Sequence, residues 1–116
     1  MKFSLPLSPN VSLQFTGEMI FQQKMGHHHF AEAYISADEL IVLVRYPEYQ
    51  PTDAVEIKTK HAAIPLPKLF RAAGRGRISR MLFGGPENLI HQNLDGHYPI
   101  EMIGELLGKI NFGHLR

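Results

Sequence analysis

The chain has no cysteine, no acidic residue between positions 58 and 80, and no apolar run longer than Leu40 to Val44. Each absence removes a class of function. Without cysteine there is no disulfide scaffold, no thiol nucleophile and no cysteine-ligated zinc or iron–sulfur centre. A membrane helix needs about 20 consecutive apolar residues, and the run "LIVLV" is far shorter. The N-terminal "MKFSLPLSPNVSLQF" is broken by polar residues and prolines, and it lacks the apolar core of a secretory signal. Cytoplasmic placement is therefore the expectation, with no membrane contact.

Catalytic and nucleotide signatures are also missing. Ser79 lies between Ile78 and Arg80 with no G-x-S-x-G turn around it. "GRGR" and "GG" form neither a G-x-x-x-x-G-K-[ST] loop nor a G-x-G-x-x-G fingerprint. No cofactor and no catalytic set is expected, and the chain reads as a non-enzyme. Asp38–Glu39 reads as a turn, and Glu101 with Glu105 as an exposed helix face.

What is present is ordinary globular composition: 116 residues, 44% apolar, 20% charged, net charge +1. This is enough for one domain with its own core, spanning residues 1–116. Residues 1–60 read mainly as strands. Val11, Leu13 and Phe15 alternate with Ser12, Gln14 and Thr16, and Met19 to Gln22 continue the strand after a kink at Gly17. Phe30, Glu32 and Tyr34 alternate with Ala31, Ala33 and Ile35. "ELIVLVRY" is a continuous β-branched run, the mark of a strand buried on both faces, and the "SADE" turn joins it to the preceding strand as a hairpin. Val55 and Ile57 alternate with Glu56 and Lys58.

Residues 61–116 read mainly as short helices. Pro65, Pro67 and Pro86 suit first helical positions, and Gly74, "GGP" and "DG" act as stops. In the last helix Ile100, Ile103, Leu107 and Ile110 form an apolar stripe beside Leu106, and Glu101 and Lys109 complement the macrodipole. Gly104 and Gly108 cost that helix about 1 kcal/mol each relative to alanine. Their spacing predicts close approach by another element, either within the chain or in a homodimer. The expected fold is α+β: an N-terminal antiparallel sheet of three to four strands packed by short C-terminal helices.

Charge is segregated along the chain. Residues 58–80 hold seven basic residues, Lys58, Lys60, Lys68, Arg71, Arg75, Arg77 and Arg80, against no acid. Lys68, Arg71 and Arg75 are spaced three and four apart, as on one helix face. The planar arginine fork suits phosphate and carboxylate alike. This pattern points first to docking on an acidic protein surface, as an inhibitor, antitoxin or immunity-like protein would dock. Apolar help would come from Tyr46, Tyr49, Phe83 or Phe112. The alternative is a nucleic-acid backbone. If five of the seven contacted duplex phosphates, log K would fall with log[salt] at a slope of about −4 to −5. The plainer reading is a charged run that only solvates the fold.

His27, His28 and His29 offer a further reading. On a strand, His27 and His29 would share a face and could chelate a metal, given a third ligand from His61, His91, His97 or His114. This would be a metal site or the centre of a metal-dependent enzyme; the plainer reading is a solvated loop or strand edge. Such a cluster also responds to pH between about 5 and 7.

"NLDGHYPIEMI" followed by "LLGKINFG" resembles the toxin-binding domain of the Xre/MbcA/ParS antitoxins. Leu94, Gly96, Pro99, Ile100, Glu101 and Ile103 fit its first block, and Leu106 to Gly113 its second. The resemblance implies a toxin-binding antitoxin. Against it, the family separates the two blocks by a longer stretch and carries a helical N-terminus.

Overall fold

The computed structural model describes residues 1–8, 10–72 and 74–110, with Pro6, Ser8 and Arg75 described by backbone alone. Five strands run in chain order as an antiparallel meander: β1 (Lys2–Ser8), β2 (Val11–Gly26), β3 (His29–Ser36), β4 (Glu39–Tyr49) and β5 (Val55–Pro65). Helices follow: α1 (Leu66–Arg71), α2 (Arg75–Ser79), a π-helical turn over Arg80–Gly84, α3 (Leu89–Leu94) and α4 (Ile100–Lys109). The α+β order is as expected, but the sheet has five strands where three or four were read. The additional strand is β1. Phe3, Leu5 and Leu7 do alternate, and Pro6 is tolerated because β1 has a neighbour on one side only.

The sheet curls into a half-barrel because β2 changes partners along its length. Lys2 to Ser8 pair with residues from Thr16 back to Val11, and Gly17 to Gly26 pair with residues from Ser36 back to His29. The switch falls at Gly17. A Cβ there would lie 2.5 Å from the carbonyl oxygen of Ile35, so only glycine lets the strands approach. A register shift between Met19 and Phe21 bends the strand further.

Curling gives the sheet two covered faces. On the outer face Ala31, Ala33, Leu40, Val42 and Val44 pack against Leu66, Leu69, Ile78, Leu82, Ile90, Leu94, Met102, Leu106 and Ile110. On the inner face Tyr34, Ile41 and Leu43 are covered by Leu5, with Phe3, Leu7, Leu13 and Phe15 around them. Ring centroids of Phe3 and Phe15 lie 4.6 and 5.1 Å from that of Tyr34. The "LIVLV" run is thus buried on both faces, as its composition predicts.

Glu32 shares the inner face. It is the one buried charged residue among the described residues. The Tyr34 hydroxyl donates to its Oε2, and Arg45 Nη1 stands 4.0 Å from Oε1. A buried carboxylate is tolerated only with such partners. Burial, reinforced by the hydrogen bond to Glu32, pushes the Tyr34 phenol up.

The helices differ from the expected pattern in three places. Pro65 ends β5 and caps α1, and Pro67 sits in its first turn. On α4 the buried stripe is Met102, Leu106, Leu107 and Ile110, while Ile100 is 81% exposed. A Cβ at Gly104 or Gly108 would meet nothing within 4 Å, so no element of the described chain approaches there and the expected intramolecular packing is absent. No helix among the described residues is long and apolar enough to cross a membrane.

Candidate functional site: a divided basic surface

The seven basic residues do not form one patch. Lys58 and Lys60 alternate on β5 and face the helical side of the sheet, with Lys58 paired across to Tyr46 and Lys60 to Val44. Lys58 Nζ lies 3.0 Å from Glu56 Oε1, and this pairing raises the lysine's pKa. Lys60 forms an ion pair with Asp95, just past α3. Lys68 Nζ on α1 lies 3.3 Å from Glu87 Oε2. All three lysines are therefore engaged within the chain, two of them tying β5 and α1 to the segment around α3.

The arginines behave differently. Arg71 ends α1, Arg77 lies in α2 and Arg80 opens the π-helical turn. All three are exposed, and none makes an ion pair with another described residue. The side chain of Arg75 lies outside the described residues.

Local sequence explains the display. Gly74, with φ of 115°, starts α2. Ile78 is fully buried, so Arg77 and Arg80, three apart and on one face of the turn, project outward from the anchored helix. The turn closes through a hydrogen bond donated by the Gly85 amide to the Arg80 carbonyl. A Cβ on Gly85 would lie 2.7 Å from that carbonyl oxygen, which makes "GGP" a shape requirement as well as a stop. The tight closure leaves a shallow groove of about 390 Å³ lined by Arg77, Arg80, Met81, Gly85, Pro86 and Glu87. Its lining combines apolar Met81 and Pro86 with two guanidinium groups and the Glu87 carboxylate.

The histidine run is not the continuous strand face that metal chelation requires. His27 and His28 form the turn between β2 and β3, with His28 at φ of 60°. Only His29 joins the sheet, so His27 and His29 do not share a strand face. The Nε2 of His29 donates to the carbonyl of His97 at 3.3 Å. His97 stacks on Tyr46 with 3.9 Å between centroids and 5° between planes. Burial, and then the nearby His29 and Lys60, lower the His97 pKa below 6.5. Of the other candidate ligands, His61 lies on β5 and His91 on α3, hydrogen-bonded through Nδ1 to the Tyr98 hydroxyl at 3.1 Å. No group of three His, Asp or Glu able to hold a metal forms among the described residues. His114 lies outside them.

Sequence reasoning missed this junction. The stacked Tyr46 and His97, flanked by His29 and the Lys60–Asp95 pair, join three strands to the α3–α4 connection. The only local signal was the "DG" stop, where Asp95 and Gly96 both adopt positive φ and turn His97 back toward the sheet. Of the proposed apolar helpers, Tyr49 is 69% exposed, whereas Tyr46 and Phe83 pack against the outer core. Phe112 lies outside the described residues, as does the end of the second antitoxin-like block. Comparison with known protein families, with curated proteins and with solved structures finds no match to this chain.

Proposed function

We propose that this protein is a non-catalytic binding protein that docks on an acidic protein surface through Arg71, Arg77 and Arg80. The observation that carries the reading is the division of the basic residues. Three lysines are neutralised within the fold, and three arginines are presented to solvent without a described partner. Arginine is enriched at protein interfaces because its fork binds carboxylates bidentately and its stem packs on apolar surface. The groove beside Arg77 and Arg80 adds apolar lining from Met81 and Pro86, with Glu87 as its acidic member. Apolar lining supports a protein partner over a nucleic-acid backbone, which needs charge but no apolar seat. An inhibitor, antitoxin or immunity-like role fits such a surface.

The test is capture from host lysate, with and without nuclease, comparing wild type with Arg71→Glu/Arg77→Glu/Arg80→Glu. The expected result is a protein partner that survives nuclease and is lost with the folded variant. Recovery of nucleic acid alone, released by moderate salt, would overturn the reading in favour of phosphate binding. An unchanged set of captured molecules would mean that the arginines only solvate the fold.

A further inference from the structure

The hairpin of β4 and β5 is longer than the sheet that carries it. β3 pairs with β4 only as far as Phe30 opposite Arg45, whereas β4 and β5 stay in unbroken register to Tyr49 opposite Val55. Tyr46–Tyr49 and Val55–Lys58 therefore extend past the last β3–β4 pair as a two-stranded ribbon. Two strands alone are marginal in water. One face of this ribbon carries Pro47, Tyr49, Val55 and Ile57, of which Tyr49, Val55 and Ile57 are 69%, 46% and 44% exposed. Its outer strand, β5, is hydrogen-bonded to a strand on one side only, β1 approaching it without pairing, and its register with β4 contains no bulge. Native edge strands are normally blunted by a bulge, a proline or charge. On β5 the proline comes only at Pro65, the far end, and the charges of the ribbon segment, Glu56 and Lys58, are of opposite sign and already paired with each other.

We infer that this edge pairs with the same edge of a second copy, β5 against β5 in antiparallel register about a two-fold axis at Ile57. The charge pattern selects both the occupant and the register. With Ile57 opposite its own symmetry mate, Glu56 of each copy faces Lys58 of the other, and Val55 faces Thr59. Moving the axis one residue either way sets Glu56 against Glu56 or Lys58 against Lys58, and like charges directly opposite are destabilising. The sequence "VEIKT" is thus self-complementary, which is what a two-fold contact requires. Glu56 already accepts from Lys58 and from Gln50 Nε2, both at 3.0 Å, within its own chain. It is exposed enough to take a second lysine across the axis. The apolar face then continues from one ribbon into the next, and strand addition supplies main-chain hydrogen bonds. This contact uses neither the arginine surface nor Gly104 and Gly108 on α4.

Sedimentation of the full chain across about 1–500 μM, the range of weak to moderate self-association, tests the inference. Wild type is expected to shift from monomer to dimer. Glu56→Lys alone and Lys58→Glu alone each set like charges across the axis, and each should weaken association tenfold or more. The double swap Glu56→Lys/Lys58→Glu should restore it, and so should mixing the two single variants, which then form a heterodimer. A wild type that stays monomeric throughout, single variants that associate like wild type, or a double swap that fails to recover would each overturn the assignment. All these positions are solvent-accessible, and circular dichroism on each variant separates lost association from lost fold.

Discussion

The lysines and the arginines of residues 58–80 carry the same charge and sit in one stretch of sequence, yet they end in different electrostatic circumstances. Lys60 and Lys68 stand across from Asp95 and Glu87 because the α3 segment packs over β5 and α1. Arg77 and Arg80 stand on α2 and the π-helical turn, which present the opposite side of their buried Ile78 and Leu82 anchors to solvent. The difference teaches that a basic run in sequence is not a basic surface in space. Packing decides which charges are spent on the fold and which remain for a partner. The long, planar arginines remain, and these are the residues best suited to bidentate recognition.

The comparison breaks most sharply if the two regions are charge-reversed separately. Arg77→Glu/Arg80→Glu should weaken capture of the protein partner by about a hundredfold, on the order of 1.4 kcal/mol per residue. Its urea unfolding midpoint should match wild type, because exposed unpaired charges contribute within about 0.5 kcal/mol. A large loss of stability would mean that these arginines are structural like the lysines. Gly85→Ala tests the same region through shape. The added Cβ must push the Arg80 carbonyl away, which should cost about 1–3 kcal/mol by the logic of overpacking. It should also move Arg80 enough to reduce partner affinity. Equal stability and equal affinity in that variant would show that the closed turn does not position the arginine.

The lysine region should show the reverse pattern. Lys60→Met and Asp95→Asn are each expected to cost about 0.2–1 kcal/mol, the range of partly exposed ion pairs. Partner affinity should not change. A double-mutant cycle on this pair, measured by denaturant unfolding, should return a coupling free energy of the same size. A coupling near zero, or a parallel loss of partner binding, would erase the distinction between the two regions.

How much of this was legible in the sequence follows from the range of the interactions involved. "LIVLV" announced a doubly buried strand because its pattern is local and strong. The kink at Gly17 and the "DG" stop were legible because glycine and aspartate punctuate the chain by their own backbone preferences. β1 was obscured by prolines, although Phe3, Leu5 and Leu7 carried the period-two signal. The histidine run forms the turn that a loop or strand-edge reading allows, because His28 adopts a left-handed φ that non-glycine residues seldom take, so the strand face that chelation requires does not form. The division of the basic residues was not legible at all. Lys60 meets Asp95 and Lys68 meets Glu87 only after the chain has folded back on itself, and neither pairing leaves a mark in local spacing.

The smallest expected effect concerns pH, and it belongs to the lysine side of the comparison. His97 is stacked on Tyr46, accepts a hydrogen bond at its carbonyl from His29, and lies near Lys60 and Asp95. Burial, and then the nearby His29 and Lys60, lower its folded pKa beneath the ordinary 6.5. The folded state therefore holds fewer protons than the unfolded state in the window just below 6.5. Stability from this group is complete above that value and is lost as pH falls toward the folded pKa. Replacing His97 with phenylalanine keeps an aromatic ring against Tyr46 and removes the titration. Thermal unfolding followed from pH 7.5 to 5 should thus decline less steeply for His97→Phe than for wild type. Arg77→Glu/Arg80→Glu leaves the His97 junction intact and should give a curve parallel to wild type over the same window. Parallel curves for His97→Phe and wild type would mean that the junction tolerates a charged imidazole, and that the lysine region is held by its ion pairs and packing alone.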